Sequence, residues 1–240
     1  MSVLFEVWKR TVPEGIVMRY GQIKRNIRTL QAEGLIPDKI ERVADVGYGS
    51  GAGSIAIADL FIEATITAID NSSSQQNYPD YHRRPLPCWT SRFEAVSNDV
   101  KKVAPKLEHH DIVLASRIPF SDMNKKVDWR VDSLDAAETF IALTLLVKPE
   151  TGVVLIGYEP HEDPGALWEL EKRIDSGKLF NNLMRYQVEN GDDWLVLKGV
   201  KRDALIASQS DPEILLTEIG KKLPPINSFA EYLRLDRSHD

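Results

Sequence analysis

The stretch VADVGYGSGAGS, Val43 to Ser54, decides how the chain is read. An apolar run from Arg42 to Val46, broken only by Asp45, leads into four glycines at every second position: Gly47, Gly49, Gly51 and Gly53. A helix-compatible run, Ile55 to Ile62, follows. Strand, glycine turn and helix in this order form a βα unit able to hold a nucleotide-like ligand. Glycine is needed where backbone turns sharply or must approach a ligand without a Cβ in the way.

Working outward, the chain alternates strands and helices. Ala64 to Ile69 predicts a second strand ending in Asp70, and Arg92 to Val96 a third, followed by Asn98-Asp99 and a short helix through Leu107. Asp111 to Ala115 predicts a fourth strand ending at Ser116-Arg117. Asp132 predicts the cap of a helix whose Leu134, Ala137, Ile141 and Leu145 share a face. Val153 to Gly157 predicts a fifth strand, ending at Tyr158-Glu159, and Asp163-Pro164 the start of another helix. Leu183 to Val188 and Trp194 to Val200 are joined by too short a link for a crossover, so they predict an antiparallel hairpin. Alternation of this kind predicts a doubly wound, mostly parallel α/β sheet with helices on both faces.

The flanks read differently. Thr11 and Glu14 predict a capping box for a helix with Ile16, Tyr20, Ile23, Ile27 and Leu30 inward, closed by Gly34. Its other face carries Arg19, Lys24, Arg25 and Arg28, a solvated face or a patch for an anionic partner such as RNA. A helix starting at Ser210-Asp211-Pro212-Glu213 and a short one near Phe229 to Leu235 read as peripheral. Three parts result: an N-terminal helical segment, 1–39; a cofactor-binding domain, 40–205; and C-terminal helices, 206–240.

Composition narrows the function classes. With 42% hydrophobic and 28% charged residues, the chain is globular and not disordered. A formal net charge of −6 argues against whole-molecule attraction to nucleic acid. The single cysteine, Cys88, precludes an internal disulfide and a cysteine-based metal cluster, which fits a reducing compartment. The longest apolar run, near Phe140 to Val147, is too short to span a bilayer. No signal-peptide pattern opens the sequence, so the expected location is cytoplasmic.

Taken together, Asp45-x-Gly47-x-Gly49-x-Gly51, Asp70 nineteen residues after Gly51, the Asn98-Asp99 pair, the DIVLA fourth strand and the closing hairpin resemble the class I S-adenosylmethionine-dependent methyltransferases, over about Ile40 to Val200. The resemblance implies a seven-stranded sheet of order 3-2-1-4-5-7-6 and S-adenosyl-L-methionine as cofactor. It implies that Asp45, Gly47, Gly49 and Gly51 face the aminoacyl part of that cofactor, Asp70 and Asn71 the ribose, Asn98 and Asp99 the adenine, and that Ser116 borders the site. Because ligands of open α/β sheets lie at the carboxyl ends of the strands, Arg117, Glu159 and His161 are the candidates for catalysis. Glu159 or His161 would serve as general base where the acceptor must lose a proton, and Arg117 would hold an anionic group. His109 and His110 fall at the opposite end and read as surface residues.

Alternatives remain at this point. Gly47-x-Gly49-x-x-Ala52 also satisfies a loose dinucleotide pattern, but Asp45 and the closing hairpin count against NAD(P). A P-loop is excluded because no Gly-Lys-Ser/Thr follows the glycines. After the fourth strand, Arg117-Ile118-Pro119-Phe120 keeps only the Pro-Phe of the motif that base-amino methyltransferases carry there, which argues against such a substrate. A small-molecule acceptor is favoured. RNA, contacted by the Arg19 to Arg28 face and by Arg83-Arg84 among Tyr78, Tyr81 and Trp89, is the second reading. A non-catalytic partner subunit is the third.

Overall fold

A computed structural model of the chain describes residues 3–71, 92–116, 129–158, 174–187 and 193–217, without the side chains of 129–133, 158 and 193. The sheet consists of β1 (Arg42–Val46), β2 (Thr65–Asp70), β3 (Phe93–Ser97), β4 (Ile112–Ser116), β5 (Val153–Tyr158), β6 (Phe180–Gln187) and β7 (Asp193–Val200). Their order is β3-β2-β1-β4-β5-β7-β6. The first five strands run parallel, and β7 is antiparallel to both β5 and β6. This is the sheet that the sequence predicts. Chain order reverses between β1 and β4, and at such a switch point diverging loops leave a crevice at the carboxyl ends of the strands.

Each central strand is apolar on both faces because helices cover both. Val43, Ile66, Ile112, Leu114, Val153, Leu155 and Val196 pack toward α1 (Val3–Trp8), α2 (Glu14–Ala32) and α3 (Ala52–Leu60). Ala44, Val46, Ile69, Val113, Ala115, Val154 and Ile156 pack toward α5 (Trp129–Leu146), which follows the short α4 (Val100–Val103). Helix α5 is buried on most of its circumference, through Ala136, Ala137, Phe140, Ile141, Leu143 and Leu146.

Helix α3 is held at its far end by a residue outside it. Arg92 donates to the carbonyls of Ala58, Phe61 and Ala64, at 3.3, 2.7 and 3.1 Å. These are carbonyls that a helix end and its exit turn leave without helical partners.

Several local expectations change. Thr11 does not cap α2: the helix starts at Glu14 behind Pro13, whose extended backbone (φ −62, ψ 156) occupies the cap position. Thr11 Oγ1 donates instead to the Trp8 carbonyl, 2.7 Å away, closing α1. Helix α3 begins at Ala52, three residues before Ile55, because Gly51 already supplies the turn into it. Helix α5, described from Trp129, already contains Asp132, so Asp132 does not cap it. The tail is not peripheral at Leu215 and Leu216, which are buried in the second core beside Ile174, and α6 (Arg202–Ser210) precedes them.

His110 is likewise no surface residue. It is buried, with Nδ1 3.2 Å from the Leu146 carbonyl and Nε2 3.1 Å from Thr67 Oγ1. Burial pushes its imidazole down to about 4, with the Leu146 carbonyl opposing. His109, by contrast, is exposed as expected. Among the described residues, no helix is long and apolar enough to cross a membrane. The segments around Cys88, Asp163 and Phe229 lie outside the described residues.

Candidate functional site

The carboxyl ends of β1, β2 and β3 converge on the glycine turn. Gly47, Gly49 and Gly51 have φ of 72, 48 and 82, left-handed conformations in which a Cβ would be strained. Among the described residues, a Cβ on Gly49 would meet nothing nearer than the Gly47 carbonyl at 3.9 Å, so the turn leaves room beside Gly49. That is a cradle suited to close approach by a ligand.

The fourth glycine has another reason. Gly53 lies inside α3, and a Cβ there would come within 3.0 Å of Asp45 Oδ2 and 3.2 Å of Leu114 Cδ2. It lets the helix settle against the sheet.

The turn is tied down from β2. The Gly47 amide donates to the Ile69 carbonyl at 2.7 Å, and the Gly49 amide to Asp70 Oδ2 at 2.8 Å. Asp70, 8% exposed, therefore holds the turn with one oxygen. A carboxylate has about four acceptor sites, so this bond is compatible with further hydroxyl donors. The Asn98 amide donates to the Asp70 carbonyl at 2.9 Å, which draws β3 into the same site. Asn71, next in the chain, is exposed.

Asp45 sits deeper than a surface ligand residue would. It is 2% exposed, and its carboxyl accepts from the Ser54 hydroxyl and the Ser54 amide in the first turn of α3. Burial drives its pKa up to about 7; the Ser54 donors oppose the shift and the nearby Asp70 carboxylate reinforces it. The Asp45 carboxyl thus joins the end of β1 to the first turn of α3.

Asn98 and Asp99 reach the predicted place at the end of β3, but their side chains serve the backbone. Asn98 Oδ1 accepts from the Asp99 amide and Asp99 Oδ1 from the Lys101 amide, both at 2.9 Å, capping α4. Ser116 ends β4 beside Gly157 of β5. Arg117, Glu159 and His161 lie outside the described residues, as do Arg83 and Arg84.

Two features escape the sequence. Gly157 pairs with Trp194 of β7, and a Cβ on Gly157 would lie 2.7 Å from Trp194 Cη2. The glycine leaves room for the indole, whose Nε1 is buried without a hydrogen-bond partner among the described residues. From the other side, Trp8 Nε1 donates to the Ser50 carbonyl at 3.0 Å, within the glycine turn. An apolar pair spaced i, i+3 at Phe5 and Trp8 is the only sequence signal for this contact.

On α2 the basic face is partly committed. Lys24 Nζ lies 2.9 Å from Asp59 Oδ2 and donates to the Tyr20 hydroxyl at 2.8 Å. Tyr20 in turn donates to Asp59 at 2.5 Å, and burial together with this carboxylate raises its pKa. Arg25 and Arg28 are exposed. Among the described residues no cluster of His, Cys, Asp and Glu could hold a metal ion.

No protein-family model matches the chain, and no curated protein matches its sequence. Solved structures do. A Nostoc punctiforme protein assigned as an O-methyltransferase is 14% identical with a TM-score of 0.51, over 75% of this chain and 56% of that one. The chain thus spans little more than half the length of that relative. Human N-acetylserotonin methyltransferase, in complex with SAM (S-adenosylmethionine), is 12% identical with a TM-score of 0.46, over 68% of this chain and 48% of that one. A Staphylococcus aureus protein assigned as a caffeoyl-CoA O-methyltransferase is 12% identical with a TM-score of 0.48, over 82% and 93%. Likeness at such identity speaks to architecture alone. With its sheet order, its closing hairpin and the Nostoc match, the chain has the Rossmann-like fold of the class I S-adenosylmethionine-dependent methyltransferases.

Proposed function

We propose that the chain is a methyltransferase that binds S-adenosyl-L-methionine at the glycine turn and moves its methyl group to a small-molecule acceptor. The observation that supports this most is the Asp70–Gly49 bond: an acidic residue at the end of β2 and a bare, left-handed glycine turn at the end of β1 are joined at one site. The cofactor would supply a methyl group activated by its sulfonium. Gly47, Gly49 and Gly51 would admit its aminoacyl part, Asp70 and Asn71 would face its ribose hydroxyls, and Asn98 and Asp99 would border the adenine.

The chain's own contribution to the reaction is alignment, since holding donor and acceptor in line removes much of the barrier. Arg117, Glu159 and His161 follow β4 and β5 in sequence and are the proposed acceptor-side residues, with Glu159 or His161 taking a proton where the acceptor carries one. The net charge of −6, and the pairing of Lys24 with Asp59, support a small acceptor over RNA.

Calorimetric titration with S-adenosylmethionine, S-adenosylhomocysteine and NAD(H) tests the reading. Binding of the first two is expected. Binding of NAD(H) alone would overturn it.

A further inference from the structure

The glycine turn is held by more than the strand beside it. Its Ser50–Gly51 peptide is fixed at both polar ends: the Gly51 amide donates to the Tyr48 carbonyl at 2.7 Å, and the Ser50 carbonyl accepts from Trp8 Nε1 at 3.0 Å. Trp8 belongs to α1, forty-two residues away in sequence, and is 3% exposed. Its indole is wedged among aromatic neighbours. Phe5 and Tyr20 stack at 4.3 Å, and the Trp8 ring lies 6.2 Å from Phe5 and 5.9 Å from Tyr20. Tyr20 is anchored in turn through its hydroxyl to Asp59 of α3, so the wedge is attached to the helix that the turn introduces.

A turn with left-handed glycines on both sides of Ser50 has large backbone freedom when unrestrained, and ordering it costs conformational entropy. Restraint supplied in advance by the protein does not have to be supplied by a ligand, which binds more tightly for it. We infer that Trp8 is a positioning residue for the cofactor site: its indole N–H presets the Ser50–Gly51 peptide, and docking of α1 and binding of cofactor therefore favour one another. Coupling of this kind is reciprocal, so cofactor also holds α1 in place. The inference rests on the proposed cofactor reading.

Trp8→Phe keeps an aromatic ring in the wedge and removes the donor. Tyr20→Phe is the control, since it cuts the bond to Asp59 in the same cluster and leaves the indole intact. Calorimetry with S-adenosylhomocysteine on wild type and both variants is the first measurement. Trp8→Phe should bind about fivefold to tenfold more weakly, while Tyr20→Phe lowers the melting temperature and keeps near wild-type affinity. In wild type, S-adenosylhomocysteine should also slow hydrogen exchange at the Trp8 indole. Affinity of Trp8→Phe within twofold of wild type overturns the inference, as does loss of affinity in both variants in proportion to their melting temperatures. If wild type binds no S-adenosylhomocysteine, the proposed function fails on its own. Exchange at the Gly51 amide then decides the role of Trp8: faster in Trp8→Phe than in wild type and Tyr20→Phe supports it, and equal rates overturn it.

Discussion

The Asp70 carboxylate accepts the Gly49 amide at 2.8 Å, so the acidic end of β2 and the turn after β1 form one rigid unit. Removing the carboxylate removes both a proposed hydroxyl acceptor and the tether of the turn. Asp70→Ala is expected to weaken S-adenosylmethionine and S-adenosylhomocysteine alike, by about 10- to 100-fold. Calorimetric titration checks this, and unchanged affinity would mean that the acid has no part in the site.

Gly51 stands at the entry to α3 with φ of 82. Alanine there must adopt a left-handed backbone or bend the turn. Gly51→Ala should lose about 1 kcal/mol of stability in denaturant unfolding, and cofactor affinity with it. Gly15 has nothing within 4 Å of an added Cβ and has no left-handed backbone, so Gly15→Ala should cost no stability.

The Gly157–Trp194 pair predicts a coupled effect. Gly157→Ala puts a methyl group against three indole carbons, at 2.7 to 2.9 Å, and should destabilise by about 1–3 kcal/mol. Trp194→Phe withdraws the outer ring and also removes a buried donor that has no partner among the described residues. Gly157→Ala combined with Trp194→Phe should therefore be more stable than the sum of the two single changes. Additive losses in thermal unfolding would show that the two positions do not touch.

Two buried groups set opposing pH trends. Asp45 is raised to about 7 in the folded chain, so the stability present below its unfolded pKa is lost as pH rises toward 7. His110 is lowered to about 4, so the stability present above its unfolded pKa is lost as pH falls toward 4. Between roughly pH 4 and 6.5 the slopes oppose, each about 1.4 kcal/mol per pH unit. Wild type should show little net trend from this pair. Asp45→Asn should grow more stable with rising pH in that window, and His110→Gln less stable. Urea unfolding at intervals from pH 4 to 7 measures both slopes, and parallel curves for all three proteins would contradict the assignment.

How much of this the sequence carries depends on range. The sheet is legible because strand, turn and helix signals are local, and a short link such as the one before Trp194 permits only an antiparallel return. The place of the glycine turn is legible for the same reason: Gly47 to Gly51 and Asp70 fall at strand ends that periodicity already marks. What stays hidden depends on partners far apart in the chain. Nothing near Trp8 announces Ser50, nothing near Gly157 announces an indole, and the polar His110 looks superficial until Thr67 and Leu146 are found around it. The helix caps fail for smaller reasons: Pro13, not Thr11, stands at the cap of α2, and Asp132 already lies within α5.

Helix α3 is gripped from outside at both ends, by Asp45 on Ser54 and by Arg92 on Ala58 and Phe61. A rod clamped in this way has little freedom to fray, and the five residues that precede it are tied to β2 and α1 as well. Amide exchange should accordingly be slow at Gly47, Gly49 and Gly51, whose amides are bonded, and from Ile55 onward through the helix. A ligand that presses on the turn would therefore meet a stiff frame, and its push would be passed on to β2 and α1.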